Sequence, residues 1–467
     1  MRNHIFANLG FLLQTSGLLT LIPIGIGLYF NETPQLVPLF LVCVAFLGSG
    51  FLLNALCERK DLDFKSSSIL LLVAFVILPL IGAIPYVYSD PFTSPNVLDR
   101  FTNGYFESVS GFTTTGFSFI TNPDILPRSM LVYRSLTELM GGVGVVFLIL
   151  AFFQSKKGMG NLGNTLGIDN LNGNLKKMFL SVFVIYGGYI AVFIGLFYGL
   201  GFTDVIKTGS FTIDTLTGGF SPSSLEFGQY LFLGPKILII ILMFIGSVNF
   251  SFNYYLFTRK IKQVISAEVA MFLGIIAFAT VAIYLATQAP FIDSLFHVVS
   301  MASSTGYDYL NIMSLNGTAV SIFISLILIG GCTFSMAGGI RMGRLVTFAK
   351  SLRQSIKGIY IKENALAKGK SSDINYAEYV PALIAILLFI VFLVVFAMLF
   401  TTMGVSFSDA IFEVGSALST NGVSMGATTV TMPIAHKWLM VAAMTIGRVE
   451  ILTIIIALIP YKLLKKD

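Results

Sequence analysis

The stretch FESVSGFTTTGF, Phe106–Phe117, returns three more times along the chain in weaker form. Its Gly116 aligns with Gly219 in FTIDTLTGGFS, Gly306 in FHVVSMASSTGYD and Gly422 in FEVGSALSTNGVS. Each glycine closes a run of Thr, Ser, Asn or Gly and is followed by Phe117, Phe220, Tyr307 or Val423. Ten positions earlier stand Phe106, Phe296 and Phe412, with Gly209 the exception; six earlier stand Ser110, Ser300 and Ser416, with Ile213 the exception. Internal repetition sets an architecture before any single residue does. One T-x-G-[FY] match carries little, because small polar loops are common. Four in register, each between two long apolar segments, define a plan.

Each copy reads as a short helix running into an extended loop of small hydroxyl residues. Glycine supplies the unusual φ that lets successive carbonyls point the same way. Four such loops around an axis would stack rings of carbonyl oxygens, which can replace the water around a K⁺ ion. Each preceding helix would aim its partial negative end at the cation path. The plainer alternative is four hairpin loops between spans.

The surroundings are apolar. The 467 residues have a mean hydropathy of +0.85 and only 11% charged side chains, where a soluble domain carries about 25%. An all-α polytopic membrane protein is expected. The net charge of +6 does not point to nucleic acid, because the basic residues are segregated by loop. Cys43, Cys57 and Cys332 are odd in number and lie in or beside apolar segments, so no disulfide framework is expected.

Residues 7–30 and 35–57 form two apolar segments, read as transmembrane helices of an N-terminal part, 1–65. A cleaved signal peptide is the competing reading of the first, but no small-residue cleavage site follows it. Four units follow, each an apolar span, a short helix with its loop, and a second apolar span: 66–154, 175–258, 265–347 and 376–464. Each span holds roughly the 20 residues that cross a bilayer, and the half-buried loops can sit at that depth only if protein and ions satisfy their backbone. This amounts to ten crossings and four re-entrant loops.

Lys and Arg orient the chain. Arg2, Arg59, Lys60, Lys65, Lys156, Lys157, Lys176, Lys177, Arg259, Lys260, Lys262, the 341–370 group, Lys462, Lys465 and Lys466 place 22 of the 29 on one side. The loop side holds Arg100, Arg128, Arg134, Lys207, Lys236 and Lys437. The positive-inside rule then puts both termini in the cytoplasm. The outer side carries Glu32, Asp90, Asp99, Asp124, Asp204, Glu226, Asp293, Asp308 and Asp409, a surplus that would gather cations. The basic connection 344–372 binds anionic lipid head groups, docks a cytosolic regulatory partner, or simply fixes topology.

Two features sit past the loops. In the third unit GGCTFSMAGGIRMGR places Gly330, Gly331, Gly338 and Gly339 around Thr333 and Ser335. A helix interior loses roughly 1 kcal/mol per glycine relative to alanine, so a break at Gly330–Gly339 is expected, the alternative being close helix packing through small residues. In the fourth unit GRVEILT buries Arg448 and Glu450 far from either helix end. Arg448 is read as an electrostatic barrier beneath the loops, the alternative being an ion pair with Glu450 or Glu138. Glu107, His297 and Glu413 stand nine before the loop glycine, with Ser210 in the second unit. Proton coupling there is one reading; hydrogen bonding of the short helices to neighbouring spans is the favoured one.

FESVSGFTTTGF, LTGGFS, SSTGY, STNGVS, GGCTFSMAGGIRMGR and GRVEILT together resemble the Trk/Ktr/HKT superfamily of potassium transporters, most closely the bacterial Trk-type membrane subunit, over essentially the whole chain. The resemblance implies K⁺ uptake through a pseudo-tetrameric pore in the inner membrane. It also implies a homodimer with a cytosolic ring of nucleotide-binding regulatory subunits. Filter positions carry over onto Thr114, Thr115 and Gly116; Thr217, Gly218 and Gly219; Ser304, Thr305 and Gly306; Thr420, Asn421 and Gly422. The gating loop carries over onto Gly330–Gly339 and the intramembrane arginine onto Arg448. Relatives with serine at the first filter glycine tend to pass Na⁺, whereas this chain has Gly116. Asn421 and Val423 depart from the family pattern and should loosen selectivity.

The runner-up functions are H⁺- or Na⁺-coupled K⁺ symport and a less selective K⁺/Na⁺ transporter. An alternating-access carrier commonly shows inverted repeats or helices broken at the midplane; here all four units share one orientation. No metal-ligand cluster, nucleotide-binding glycine loop or nucleophile–base pair is visible, so neither an enzyme nor an organic cofactor is expected. K⁺ is the cargo.

Overall fold

The computed structural model describes residues 2–58, 62–153, 175–221, 232–260, 264–309, 312, 315–360 and 376–459. The basic positions Arg59, Lys60, Lys156, Lys157, Lys262, Lys362, Lys368, Lys370, Lys462, Lys465 and Lys466, with Glu226, lie outside the described residues. Among those described, all regular structure is helical.

The chain opens with α1 (Arg2–Leu19), α2 (Leu21–Tyr29) and α3 (Thr33–Leu56), with α1 packed along α3. Thereafter one order of elements recurs four times: a long helix, a short buried helix, a loop and a second long segment. The first set is α4 (Phe64–Gly82) with α5 (Ile84–Ser89), α6 (Val97–Phe112) and α7 (Arg128–Phe153). The second is α8 (Leu175–Gly199), α9 (Val205–Thr217), α10 (Leu233–Ser247) and α11 (Phe250–Phe257). The third is α12 (Ala267–Thr287), α13 (Phe291–Ser303), α14 (Gly317–Ile329) and α15 (Met342–Tyr360). The fourth is α16 (Tyr376–Thr401), α17 (Phe407–Leu418), α18 (Ile434–Val449) and α19 (Ile451–Leu458).

Three of the four short helices start at side-chain caps, and the third follows Pro290 with none. Asn96 accepts from the Asp99 N–H at 2.8 Å, Asp204 from those of Ile206 and Lys207, and Ser406 from that of Asp409. They run 16, 13, 13 and 12 residues, and at about 1.5 Å per residue none spans the roughly 30 Å of a hydrocarbon core. Glu107, Ser110, Asp214, His297, Ser300 and Glu413 on these helices are all buried.

The outer helices do the opposite. Phe278 on α12 is 79% exposed and Leu387 on α16 is 63% exposed, amid neighbours such as Leu285, Ile384 and Val391. An apolar surface of this extent belongs in hydrocarbon, not water. Among the described residues, six helices are long and apolar enough to cross a membrane, or up to eight when each of two bent pairs counts as one span.

The second long segment is interrupted in three of the four sets. As expected, α14 stops at Gly330, which takes φ +68°. Two further breaks carry no glycine pair: α10 and α11 meet at 113°, and α18 and α19 at 92°. The reason lies in the loop after α14. Cys332 N–H donates to Ser247 O (2.8 Å), Met336 N–H to Gly246 O (3.2 Å), and Phe250 N–H to Phe334 O (3.1 Å). Backbone groups that the α10–α11 break releases are taken up by the loop from α14. At the other break, Glu450 (φ +71°) leaves the helical path to meet Arg341 at 2.7 Å and Arg344.

The uninterrupted approach of helix to helix depends on a further glycine in three sets. A Cβ on Gly141, Gly246 or Gly447 would strike the carbonyl of Phe112, Leu216 or Leu418, at or next to the end of the short helix. Alanine at any of the three should therefore destabilise by about 1–3 kcal/mol through overpacking. Thermal unfolding of the purified protein checks this against Gly48→Ala, whose Cβ meets nothing within 4 Å; equal melting temperatures would refute the contact.

Candidate functional site

The loops after the four short helices meet in a closed cycle. A Cβ on Gly116 would lie 3.0 Å from the Gly218 carbonyl oxygen. One on Gly219 would strike the Thr305 carbonyl, one on Gly306 that of Asn421, and one on Gly422 that of Thr115. Each loop thus presents the carbonyl before its glycine to the glycine of a neighbour, and the fourth returns to the first. Side chains at these positions would fill the space around which the loops close.

The backbone that makes this possible is left-handed twice in three of the loops and once in the second. Gly116, Gly219, Gly306 and Gly422 have φ of +83°, +102°, +72° and +82°. Thr114, Ser304 and Thr420, two residues earlier, have +56°, +60° and +49°. The second loop lacks the earlier turn because Thr217 still belongs to α9. N–H groups turn back into the short helices: Thr115 to Ser110 O, Gly218 and Gly219 to Asp214 O, Gly306 to Ser300 O, and Asn421 to Ser416 O. Donors face the protein and carbonyls face the neighbouring glycines.

Residues nine before the glycine fasten the chain beyond it. Glu107 accepts from Ser118 Oγ (2.8 Å), Phe119 N–H (3.0 Å) and Arg134 (3.0 Å). Glu413 accepts from Ser424 Oγ, Thr428 Oγ and the N–H groups of Met425 and Ala427. His297 Nδ1 donates to Asp293 O while Nε2 accepts from Tyr309 N–H, a neutral imidazole fixed in one tautomer. Among the described residues, Glu107 makes the expected bond to a neighbouring span, through Arg134, and all three residues grip their own loop's exit.

Neighbouring sets are also stitched together. Tyr307 O–H donates to Phe220 O (3.0 Å), Asn421 Nδ2 to Met301 O (2.9 Å), and Lys437 to Asn103 (2.7 Å). Arg128 pairs with Asp204 at 2.9 Å, Lys207 with Asp124, and Lys236 with Asp293. The outer acidic surplus is therefore partly neutralised in place. Burial alone would raise the Asp204 carboxyl, but N–H donors from Lys207 and Ile206 and the Arg128 guanidinium hold it below its ordinary value.

The break in the third set lies directly against this ring. Gly338 N–H donates to Ser304 Oγ (3.2 Å), and a Cβ there would strike Ser419 O and Thr420 Oγ1. Ser335 Oγ donates to Cys332 O (2.6 Å) and accepts from Ala337 N–H, closing a turn; Thr333 N–H donates to Glu268 (2.5 Å). Arg448, fully buried, donates to Met336 O (2.6 Å) and reaches Gly141 O at 3.5 Å. Neither Glu450 nor Glu138 pairs with it: Glu450 is held by Arg341 and Arg344, and Glu138 accepts from Phe220 N–H.

Sequence reasoning missed Gly141, Gly246 and Gly447, although each stands 25–27 residues after its loop glycine. It also missed the roles of Glu268 and Arg341, and it weighed Glu138 only as a partner for Arg448; their true partners lie far along the chain and left no local signal.

Four re-entrant loops closing on one another inside an apolar helical shell define a multi-pass membrane protein with a backbone-lined centre. Residues 281–464 match the family described as TrkH, cation transport protein. An uncharacterized cation transporter of Methanocaldococcus jannaschii is 30% identical over 96% of this chain and 93% of its own. The Trk system potassium uptake protein TrkH of Halomonas elongata is 26% identical over 97% of each. The crystal structure of the potassium transporter TrkH from Vibrio parahaemolyticus superposes with a TM-score of 0.84, at 20% identity, over 98% of this chain and 99% of that one. The chain belongs to the TrkH family of cation transport proteins.

Glu413→Ala strips four donors of one buried acceptor, and each stranded group costs about 1–3 kcal/mol. We expect a marked fall in thermal stability, with Glu413→Gln intermediate; an alanine variant as stable as wild type would mean the bonds are dispensable.

Proposed function

We propose that this protein takes up K⁺ across the cytoplasmic membrane through a gated, channel-like pore. Its filter is formed by Thr114, Thr115, Gly116, Thr217, Gly218, Gly219, Ser304, Thr305, Gly306, Thr420, Asn421 and Gly422. The observation that carries the reading is the closed cycle of carbonyls and glycines, since rings of backbone carbonyls can take over an ion's hydration shell. The potassium names of the relatives from Halomonas and Vibrio agree with it. On this reading the chain is two N-terminal helices, 1–65, and four pore units, 66–154, 175–258, 265–347 and 376–464. Both termini are cytoplasmic and the filter faces outward.

The gate is the segment Gly330–Gly339, with Thr333 and Ser335 shaping its turns and Arg448 latching it. A cation leaving the ring would meet this segment and the Arg448 charge together. A homodimer bearing cytosolic nucleotide-binding subunits, in contact with membrane lipid, completes the assembly. Symport draws no support from Glu107, His297 and Glu413, whose hydrogen bonds are spent on the loop exits.

Flux into liposomes holding the purified protein, without a pH gradient, tests the reading. K⁺ and Rb⁺ should pass well above Na⁺ and Li⁺; flux only under an imposed H⁺ or Na⁺ gradient would replace it with symport. Gly116→Ser puts an L side chain at φ +83°, a strain of roughly 1–2 kcal/mol, and should lower K⁺/Na⁺ discrimination about tenfold. Arg448→Ala, or deletion within 331–338, should raise K⁺ flux in the same assay. Unaltered flux in both would leave these residues as packing elements.

A further inference from the structure

The second loop lacks the fastening that the other three have. Ser210 stands where Glu107, His297 and Glu413 stand, and its buried hydroxyl has no partner among the described residues. Yet this loop is not loose. Phe220, just past Gly219, donates its N–H to Glu138 Oε1 (3.1 Å), accepts at its carbonyl from Tyr307, and carries Arg134 4.2 Å above its ring. Glu138 comes from α7, in the first set, and a Cβ on Gly218 would strike its carboxyl. The fastening has been taken over by a neighbour.

Behind Glu138 stands Asp214, on α9 itself. Both side chains are buried, the Ser135 hydroxyl bonds one side of the Asp214 carboxyl, and the Glu138 and Asp214 carboxyls lie within hydrogen-bonding reach of each other. Glu138 Oε2 and Asp214 Oδ1 nevertheless receive no hydrogen bond from any N–H or hydroxyl. Of the charged and titratable groups around them, Arg134 gives its Nη2 to Glu107 and Ser118 and leaves its Nε without a partner among the described residues. Tyr307 donates to Phe220 O and Tyr133 to Gly82 O. Tyr86 completes the group. Two acceptors facing each other without a donor repel, and like-charged carboxylates in buried contact cannot both ionise. One hydrogen between them removes both problems.

We propose that Glu138 and Asp214 form a carboxyl–carboxylate hydrogen bond, one of them neutral, and that this pair positions the second filter loop. It rests on the filter reading for its consequence, though not for its chemistry. The pair acts through Phe220 and Gly218, so both are positioning residues. The amide variants keep the geometry: Glu138→Gln still accepts from Phe220 N–H and donates to Asp214, and Asp214→Asn donates to Glu138. Glu138→Ala keeps neither bond.

The test has two readouts on the full-length protein. Infrared spectroscopy at neutral pH should find the C=O stretch of a protonated carboxylic acid in wild type, lost in Glu138→Gln and in Asp214→Asn. Liposome flux should find K⁺/Na⁺ discrimination near wild type in both amide variants and reduced about tenfold or more in Glu138→Ala, which strands a buried donor. Absence of the acid band, its persistence in both amide variants, or equal loss of discrimination in Glu138→Gln and Glu138→Ala would overturn the proposal. If Glu138→Ala does not fold, the band and the amide variants still decide. Wild-type protein that passes no K⁺ would sink the filter reading while leaving the infrared result to judge the pair.

Discussion

Backbone that is not helical can sit at membrane depth only if the protein satisfies its polar groups. The four loops meet that demand in a one-sided way. Their N–H groups turn back onto carbonyls near the ends of the short helices, as Thr115 does on Ser110 and Asn421 on Ser416. Their exits are gripped by Glu107, His297 and Glu413. What remains is a set of carbonyls directed at the neighbouring glycines, and the glycines are required because those carbonyls leave no space for a Cβ.

The same demand explains the breaks in the second long segments. A helix that ends inside the membrane releases N–H and C=O groups that need partners. The ends at Ser247 and Gly330 supply each other: Cys332 and Met336 donate to Ser247 and Gly246, and Phe334 accepts from Phe250. Arg448 joins from the fourth set, just before its own break, through Met336 O. The Gly330–Gly339 segment is thus held by backbone and side-chain groups from the sets on either side, and displacing it would expose buried donors on both.

How much of this was legible depends on the range of the cause. The loops were readable because left-handed backbone leaves a local mark, Gly116, Gly219, Gly306 and Gly422, and the run of hydroxyl residues before each repeats. Gly330 and Gly338–Gly339 marked the third break for the same reason. The breaks at Val248 and Glu450 carry no such mark: the first exists because a loop over 80 residues away accepts and donates there, the second because Glu450 turns toward Arg341. Glu138 read only as a possible partner of Arg448 because its actual partner, Phe220, lies 82 positions on. The outer acids read as free charge because Asp204 and Asp293 take their cations from other sets.

The four sets have diverged in ways that identical subunits could not. The second loop keeps Thr217 helical and borrows its fastening from α7. The fourth turns Asn421 Nδ2 into α13. Among the described residues, the third set folds a loop back against the ring, touching Ser304 and Thr420. Four copies of that loop, related by rotation, would compete for one space on the axis, whereas a single chain can assign it to one set and use the others to hold it. Asymmetry of this kind gives up likeness around the ring, and on the proposed reading it permits a gate held by Arg448 through Met336 O. The departures from fourfold likeness cluster at the loops and directly beyond them, where that exchange would matter most.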